Sequence, residues 1–248
     1  MKPSVAVLAL LTVLHVGWGE AGMGSDPSPA LQLAAPALPV TVIRELVTGA
    51  PLHAADGIIV GPDGNLYTTS AFGQEIVVMN PRNGRLLRRL GMELGVEFPD
   101  DLIFGPDGSL YWTSIISGEV GRMDPDGVVT KQFVAPVVNP ITFSPDGRLF
   151  VGLCFYDDGL YELDPQLVAP PRPIIEATPE NPYPLGPLNG FDFGPDGRLY
   201  GPLVAAGMVV SIDVGQRGDP PSPIPWADGT IQVVVTGLTE PLAVKFDP

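Results

Sequence analysis

The sequence predicts an all-β fold, a β-propeller of four-stranded blades, because two motifs recur along it in step with each other. The first motif is a hairpin in which a Pro-Asp-Gly turn joins two apolar stretches. Its copies are GPDGNLY from Gly61, GPDGSLY from Gly105, SPDGRLF from Ser144 and GPDGRLY from Gly194. A repeat of about 40 to 50 residues is typical of propellers, which arrange four-stranded sheets around a central channel.

The second motif ends in Asn or Asp and follows each hairpin at a nearly constant distance of about 20 residues. Its copies are IVVMN, VGRMD, LYELD and VVSID, which end at Asn80, Asp124, Asp164 and Asp213. Because two separate motifs keep the same spacing, we predict that each repeat is one blade.

Each repeat divides into four predicted strands. An apolar stretch such as DLIFGP suits the innermost strand, and the turn leads to a second strand such as SLYWTS. The third strand ends in the second motif, and an outer strand such as RLLRRL follows. Two Pro-rich inserts, APPRPIIEATPENPYPLGP and RGDPPSPIPWADG, are expected to lengthen loops without forming a helix.

The aspartates of the four turns are predicted to shape the backbone. Proline presets φ, aspartate accepts a hydrogen bond from the backbone beyond it, and glycine adopts the positive φ. A calcium-binding loop is the alternative, but its alternating acidic ligands and terminal glutamate are missing. The four turn aspartates are Asp63, Asp107, Asp146 and Asp196.

The composition of the N-terminal residues predicts the domain boundaries. Residues 1–21 combine a basic start, a short apolar run and small residues, as a secretory signal peptide does. We therefore expect a secreted or periplasmic protein, with an uncleaved anchor as the alternative. Residues 22–39 form a Pro/Ala-rich leader without periodicity, and residues 40–248 form the propeller.

The end of the sequence predicts that the ring is incomplete. PLAVKFDP resembles PDDLIFGP, the start of an inner strand, and stops where the next turn should follow. VTVIRELVTG, at residues 40–49, resembles the outer strand IQVVVTGLTE and would close the ring against a last blade. Closure would need further blades, so we expect a six-bladed propeller, here truncated at the C-terminus.

The net charge restricts the classes of partner. The chain has 13 Lys and Arg residues against 28 Asp and Glu, a formal charge of −15. This charge disfavours nucleic acid and anionic membranes and favours hard cations or neutral ligands, and no membrane span is expected after signal cleavage. The single cysteine, Cys154, lies in an apolar run and is predicted to be core, since His53 is the only histidine beyond the signal.

An acid or an amide stands five residues before the first residue of each of the four hairpin motifs. These ring residues are Asp56, Asp100, Asn139 and Asn189. Because inner strands begin at one mouth of the channel, we expect their side chains to converge there. Oxygen donors without sulfur or imidazole suit a hard divalent cation, Ca²⁺ before Mg²⁺. The alternative is that these residues only cap strand starts, and the fifth start has Leu242 at this position.

Three stretches resemble the inner strands of the senescence-marker protein, gluconolactonase and luciferin-regenerating-enzyme family. They are FPDDLIFGPDGSLYWT, VVNPITFSPDGRLFVG and LNGFDFGPDGRLYGP, and the resemblance extends over about residues 40–248. It implies a six-bladed propeller with a central divalent ion, usually calcium, and hydrolysis of lactones or related esters. Similar hairpins occur in NHL-type propellers, many of which only bind partners.

The resemblance also implies roles for the ring residues. Asn139 matches a metal-binding Asn, and Asn189 lies where the family usually has a metal-binding Asp. Asp100 lies where an Asn contacts metal or substrate, and Asp56 is the present counterpart of a metal-binding Glu. Asn189 and Asp100 therefore depart from the family pattern in residue type, and the true counterpart of the Glu is either Asp56 or a residue of a missing blade.

The functional prediction is an exported, calcium-dependent lactonase or esterase that acts on a small neutral or lactone-type substrate. Such an enzyme needs a base to activate water, and Asp100 is the preferred candidate. Side chains alternate along a strand, so the adjacent Asp101 should instead bond a neighbouring blade. His53, three residues before Asp56, could relay protons or bind substrate. The alternative is a non-catalytic NHL-like propeller that binds a protein or glycan.

Overall fold

The computed structural model describes residues 5–6, 52–155 and 157–246. Three predicted segments lie outside these ranges. They are the signal peptide apart from residues 5–6, the leader, and residues 40–51 of the propeller. Their assignments stay predictions. A two-residue strand, β1 (Val5–Ala6), pairs antiparallel with β18 (Lys245–Phe246).

The described residues form four sheets of four antiparallel strands, in which neighbours in the sheet are neighbours in the chain. Blade 1 consists of β2 (Ala55–Val60), β3 (Leu66–Ser70), β4 (Glu75–Met79) and β5 (Leu86–Leu90). Blade 2 consists of β6 (Pro99–Phe104), β7 (Leu110–Ser114), β8 (Glu119–Met123) and β9 (Val129–Phe133). Blade 3 consists of β10 (Val138–Phe143), β11 (Leu149–Leu153), β12 (Gly159–Leu163) and β13 (Arg172–Glu176). Blade 4 consists of β14 (Asp192–Phe193), β15 (Leu199–Leu203), β16 (Met208–Ile212) and β17 (Ile231–Val235). These four meanders confirm the all-β propeller prediction.

One short 3₁₀ helix, Met92–Leu94, connects blade 1 to blade 2. Across the described ranges, no helix is both long and apolar enough to cross a membrane.

The outer strand of blade 3 corrects one expectation. β13 comes from the first Pro-rich insert, which was predicted to be a loop, and its segment RPIIE pairs with β12. Ile175 is fully buried in the core between blades 3 and 4. Arg172 bonds Glu162 on the adjacent strand. The stabilisation from apolar burial and from this ion pair is larger than the cost of placing a strand among prolines.

A repeated aromatic pair joins each blade to the next. A residue on the second strand of one blade contacts the residue near the end of the following inner strand, with ring centroids 5.0 to 5.3 Å apart. The pairs are Tyr67–Phe104, Tyr111–Phe143, Phe150–Phe193 and Tyr200–Phe246. Phe246 belongs to β18, so the start of a fifth repeat packs on blade 4 as each blade packs on the one before.

The face of blade 1 that points away from blade 2 is exposed to solvent. Ile58 and Val60, which correspond to Leu102 and Phe104 of blade 2, are 63% and 61% exposed, whereas Leu102 is buried. No described blade lies before blade 1 to cover them. The six-bladed ring stays a prediction.

Candidate functional site

The first three ring residues lie in irregular positions of their inner strands. The ladder with the second strand skips between Ala55 and Ile58 in blade 1 and between Pro99 and Leu102 in blade 2. The same shift occurs in blade 3. A β-bulge re-aims the side chains within it and is common next to functional sites. Asp56, Asp100 and Asn139 each stand at this shift, so the three blades present them in the same way.

Asp100 is the most deeply placed carboxylate of this group, with 7% of its surface exposed. Burial, followed by the charges of Asp56 and then Asp101, raises its pKa to about 8. Asp56 is exposed, because no described blade precedes it. Partial desolvation of its carboxylate, with a smaller effect of the Asp101 charge, still raises its pKa to about 6. The two ring carboxylates therefore lie close enough to disfavour each other's charge.

Cys154 is a member of this group that the sequence did not reveal. It is buried, as predicted, at the end of β11. Burial first, and then the charge of Asp100, raises the pKa of its thiol to about 12, while a hydrogen bond with the Asn139 side chain acts in the opposite direction. Asn139, which is 4% exposed, thus contacts Cys154, and Asp100 lies close enough for its charge to act on the same thiol. In the sequence, Cys154 is marked only by its place directly after the second strand of its blade. In the structure, the end of that strand pairs with the start of β10, where Asn139 lies.

Asn189 has a different local structure. Its inner strand begins only at Asp192, and its Oδ1 accepts a hydrogen bond from the N–H of Gly190 at 2.8 Å. No hydrogen bond or charge effect within the described residues links it to the other ring residues. The structure thus brings three of the four together, and the place of Asn189 in the ring stays a prediction.

Asp101 bonds the neighbouring blade, which confirms the expectation for this residue. Its Oδ2 accepts a hydrogen bond from the N–H of Ile141 in blade 3 at 3.1 Å, and its Oδ1 accepts one from Leu102 at 2.9 Å. Burial still raises its pKa, although Lys245 and these hydrogen bonds act against the rise. Its carboxylate is therefore committed to the scaffold, unlike that of Asp100.

His53 lies in the exposed segment before β2. Ser70 fixes its backbone, because the Ser70 hydroxyl accepts from the His53 N–H at 2.9 Å and donates to the His53 carbonyl at 3.2 Å. No hydrogen bond joins its imidazole to another residue in the ranges described, so its catalytic role stays a prediction.

The donors at this mouth fit a hard cation. Asp56, Asp100 and Asn139 offer carboxylate and amide oxygens, and only other carboxylates contribute charge effects to the pKa of Asp100. Two carboxylates that lie close together, with no basic side chain among the residues that the structure describes to neutralise them, suit a divalent cation. Within the described residues, no group of three or more His, Cys, Asp or Glu side chains is placed to hold a metal. A bound ion would therefore depend on two carboxylates and amide oxygen.

A cavity lies elsewhere, between the PDG turns of blades 2 and 3 at the opposite end of the inner strands. It is lined by Phe104, Phe143 and Asp146, among others. We regard the other mouth as the functional site, because the buried Asp100 and the nearby Asp56 lie there with like charges. The turn aspartate is used locally, since it accepts a hydrogen bond from the Ser144 hydroxyl.

Comparison with solved structures supports the β-propeller fold. No protein-family model and no curated protein sequence matches the chain. Among solved structures, virginiamycin B lyase from Staphylococcus aureus is similar over 72% of this chain and 54% of its own, with 16% identity and a TM-score of 0.55. A gluconolactonase from Xanthomonas campestris is similar over 69% of this chain and 61% of its own, with 14% identity and a TM-score of 0.52.

A third structure, the aldose sugar dehydrogenase from Streptomyces coelicolor, is similar over 83% of this chain and 71% of its own, with 20% identity and a TM-score of 0.52. The chain spans little more than half the length of the lyase. At these identities the likeness shows the fold alone, and one fold supports lyase, hydrolase and dehydrogenase chemistry. The neighbours include a gluconolactonase, the family that the inner strands resemble.

Proposed function

We propose that the protein is an exported, calcium-dependent hydrolase that acts on a lactone or related ester. The observation that supports this proposal is the crowding of Asp56 and Asp100 beside Asn139 at the channel mouth, with no cation among the groups that shift the pKa of Asp100. A gluconolactonase among the structural neighbours agrees with it. Export rests on the signal peptide predicted for residues 1–21.

In this proposal Asp56, Asp100, Asn139 and Asn189 hold the ion. When bound, calcium or another divalent ion would polarise the carbonyl of the substrate as a Lewis acid. Asp100 accepts the proton of the attacking water. Its raised pKa suits this task, because a base works best when its pKa lies near the working pH. His53 assists by binding substrate or passing the proton to solvent.

The substrate is small and neutral. The chain is strongly acidic, and the two carboxylates at the mouth add negative charge where the substrate would bind. An anionic substrate would be repelled unless the ion compensated it fully. Aldonolactones and aryl esters satisfy this condition.

We expect the protein to hydrolyse a small aldonolactone or aryl ester only when a divalent ion is present. The measurement is hydrolysis by the full chain after thorough chelation and after calcium is restored. Activity that survives chelation unchanged would remove the metal mechanism. Calcium binding without any hydrolysis would favour the alternative, a propeller that binds a protein or glycan.

Calcium should also stabilise the protein by mass action, by about 2.7 kcal/mol at a hundred times the dissociation constant. Magnesium should do less, since its octahedral shell fits poorly to ligands on separate blades. Asn139→Ala should reduce the calcium shift because it removes one oxygen donor. Thermal melts in calcium and in chelator provide the measurement.

The matched control is Asp146→Ala, which removes a turn aspartate from the other end of the same inner strand. It should lower stability by about 1 kcal/mol equally with and without calcium, because only a local hydrogen bond is lost. Equal calcium shifts in wild type and Asn139→Ala would mean that the repeated oxygens only cap strand starts.

A further inference from the structure

A buried threonine in blade 1 connects two ring residues. The Oγ1 of Thr69 accepts a hydrogen bond from the N–H of Gly57 at 2.8 Å, and this N–H belongs to the peptide bond that follows Asp56. The same hydroxyl donates to the carbonyl oxygen of Asp100 at 2.6 Å. A hydroxyl has one hydrogen, and the alternative acceptor, the Gly57 carbonyl, is farther away at 3.4 Å. One side chain thus joins the ring positions of blades 1 and 2.

The same device recurs one blade later. The Oγ1 of Thr113 accepts a hydrogen bond from the N–H of Asp101 at 3.0 Å and donates to the carbonyl oxygen of Asn139 at 2.7 Å. Thr113 stands in β7 where Thr69 stands in β3, and both side chains are fully buried. Together the two hydroxyls form a continuous connection from Asp56 through Asp100 to Asn139.

The connection ends in blade 3 for a chemical reason. The residue after Asn139 is Pro140, which has no N–H to donate, and the position equivalent to Thr113 is Gly152, which has no hydroxyl. Asn189 is therefore outside the connected set, in agreement with its different local structure. The hydroxyl connection and the grouping of the ring side chains identify the same three residues.

We propose that Thr69 and Thr113 are positioning residues that fix the spacing of Asp56, Asp100 and Asn139, so that a divalent cation meets ligands already in place. This inference rests on the proposed calcium site. β-branched side chains have few rotamers, and each hydroxyl is held at both its donor and its acceptor positions. The threonines act on the backbone of the ring residues and do not touch the ion.

Thr69→Val tests the inference, because valine keeps the shape of threonine and removes the hydroxyl. Loss of a group that orients metal ligands typically costs about tenfold or more in metal affinity. We therefore expect the calcium dissociation constant of the full chain, measured by titration calorimetry, to rise about tenfold. Thr69→Ser keeps the hydroxyl and should restore most of the affinity.

Thr68→Val is the matched control. Thr68 is the adjacent residue, is also buried, and its hydroxyl donates to the Gly57 carbonyl at 3.0 Å within its own blade. Both valine variants lose one buried hydroxyl and should melt at a lower temperature in chelator, but only Thr69→Val should weaken calcium binding. Thr113→Val provides a second test of the same kind if Thr69→Val does not fold.

The outcomes separate the inference from the function on which it rests. If wild type binds calcium and the affinities of Thr69→Val and Thr68→Val are equal, the positioning role is wrong and the calcium site remains. If wild type binds no divalent ion, the calcium site is wrong and the positioning role is lost with it. A selective loss in Thr69→Val, rescued by serine, supports both.

Discussion

Asp100→Asn is expected to lower the rate of lactone hydrolysis by about 10²- to 10⁴-fold, the usual contribution of a positioned general base. Asparagine keeps one oxygen donor for the ion but cannot accept the proton of the attacking water. The variant should be at least as stable as wild type in chelator, because burial and the charges of Asp56 and Asp101 already disfavour the charged form of Asp100, and asparagine is neutral. Steady-state kinetics at saturating calcium, with a melt in chelator, measure both effects.

Asp101→Asn is the matched control for this experiment, since it changes the neighbouring residue in the same way. The Asp101 carboxylate accepts backbone hydrogen bonds from Leu102 and Ile141. Its replacement should lower the stability of the protein and leave kcat within a few-fold of wild type at a temperature where the variant is folded. A kcat for Asp100→Asn equal to that of wild type would exclude Asp100 as the base.

Glu162→Gln should lower the free energy of unfolding by about 3–5 kcal/mol, because it leaves the buried guanidinium of Arg148 without its counter-ion. Glu162 is 5% exposed and accepts hydrogen bonds from Arg148 at 3.0 and 2.8 Å. Arg148 is 7% exposed and also donates to the carbonyl of Gly215 in blade 4 at 2.9 Å. Arg172 bonds Glu162 as well and donates to the Asp219 carbonyl at 2.7 Å. The glutamate thus orients two guanidinium groups that hold blade 4 against blade 3.

Urea unfolding at several pH values measures this contribution. Burial alone would raise the pKa of Glu162, but hydrogen bonds from Arg148 and Arg172 hold it below its usual value. A depressed pKa in the folded state stabilises the protein above the unfolded value of 4.5, and this stabilisation is lost as the pH falls through the folded pKa. The difference between wild type and Glu162→Gln should therefore shrink on acidification.

Glu119→Gln is the corresponding control, because Glu119 pairs with Lys131 at 2.6 Å while both side chains keep about a quarter of their surface in solvent. Solvent screens such a pair, and its loss should cost about 0 to 1 kcal/mol. Equal losses in the two variants would show that the Glu162 network contributes no more than a surface ion pair.

The repeat could be read from the sequence because it depends on local chemistry. The PDG turns fix hairpins within a few residues, and their spacing was enough to predict the four blades. The same spacing predicted the ring positions Asp56, Asp100, Asn139 and Asn189, of which Asn189 has a different local structure. β13 was missed because the prolines around RPIIE indicate a loop, whereas its pairing depends on Glu162 and on burial of Ile175 against blade 4.

The details of the candidate site could not be predicted, because they depend on contacts between blades. The bulge at the start of the inner strand in blades 1 to 3 arises from pairing with the second strand. The bond from Thr69 to Asp100 connects residues far apart in sequence, and nothing in a single chain marks a threonine as one that bridges blades. Cys154 likewise has an apolar sequence context, and only the fold brings it beside Asn139 and Asp100.

The aromatic pair at each interface has a consequence for how such a protein can change during evolution. Blades 2, 3 and 4 each offer one ring on the second strand and another near the end of the inner strand. A duplicate of such a blade therefore brings a compatible contact for both neighbours. Blade number can then change by whole repeats without a new interface. The chemistry at the mouth is not copied so strictly: the fifth strand start keeps its interface ring, Phe246, but has Leu242 in place of an oxygen donor. The aromatic contact between blades is thus repeated with each blade, whereas the residue at the channel mouth varies from one repeat to the next.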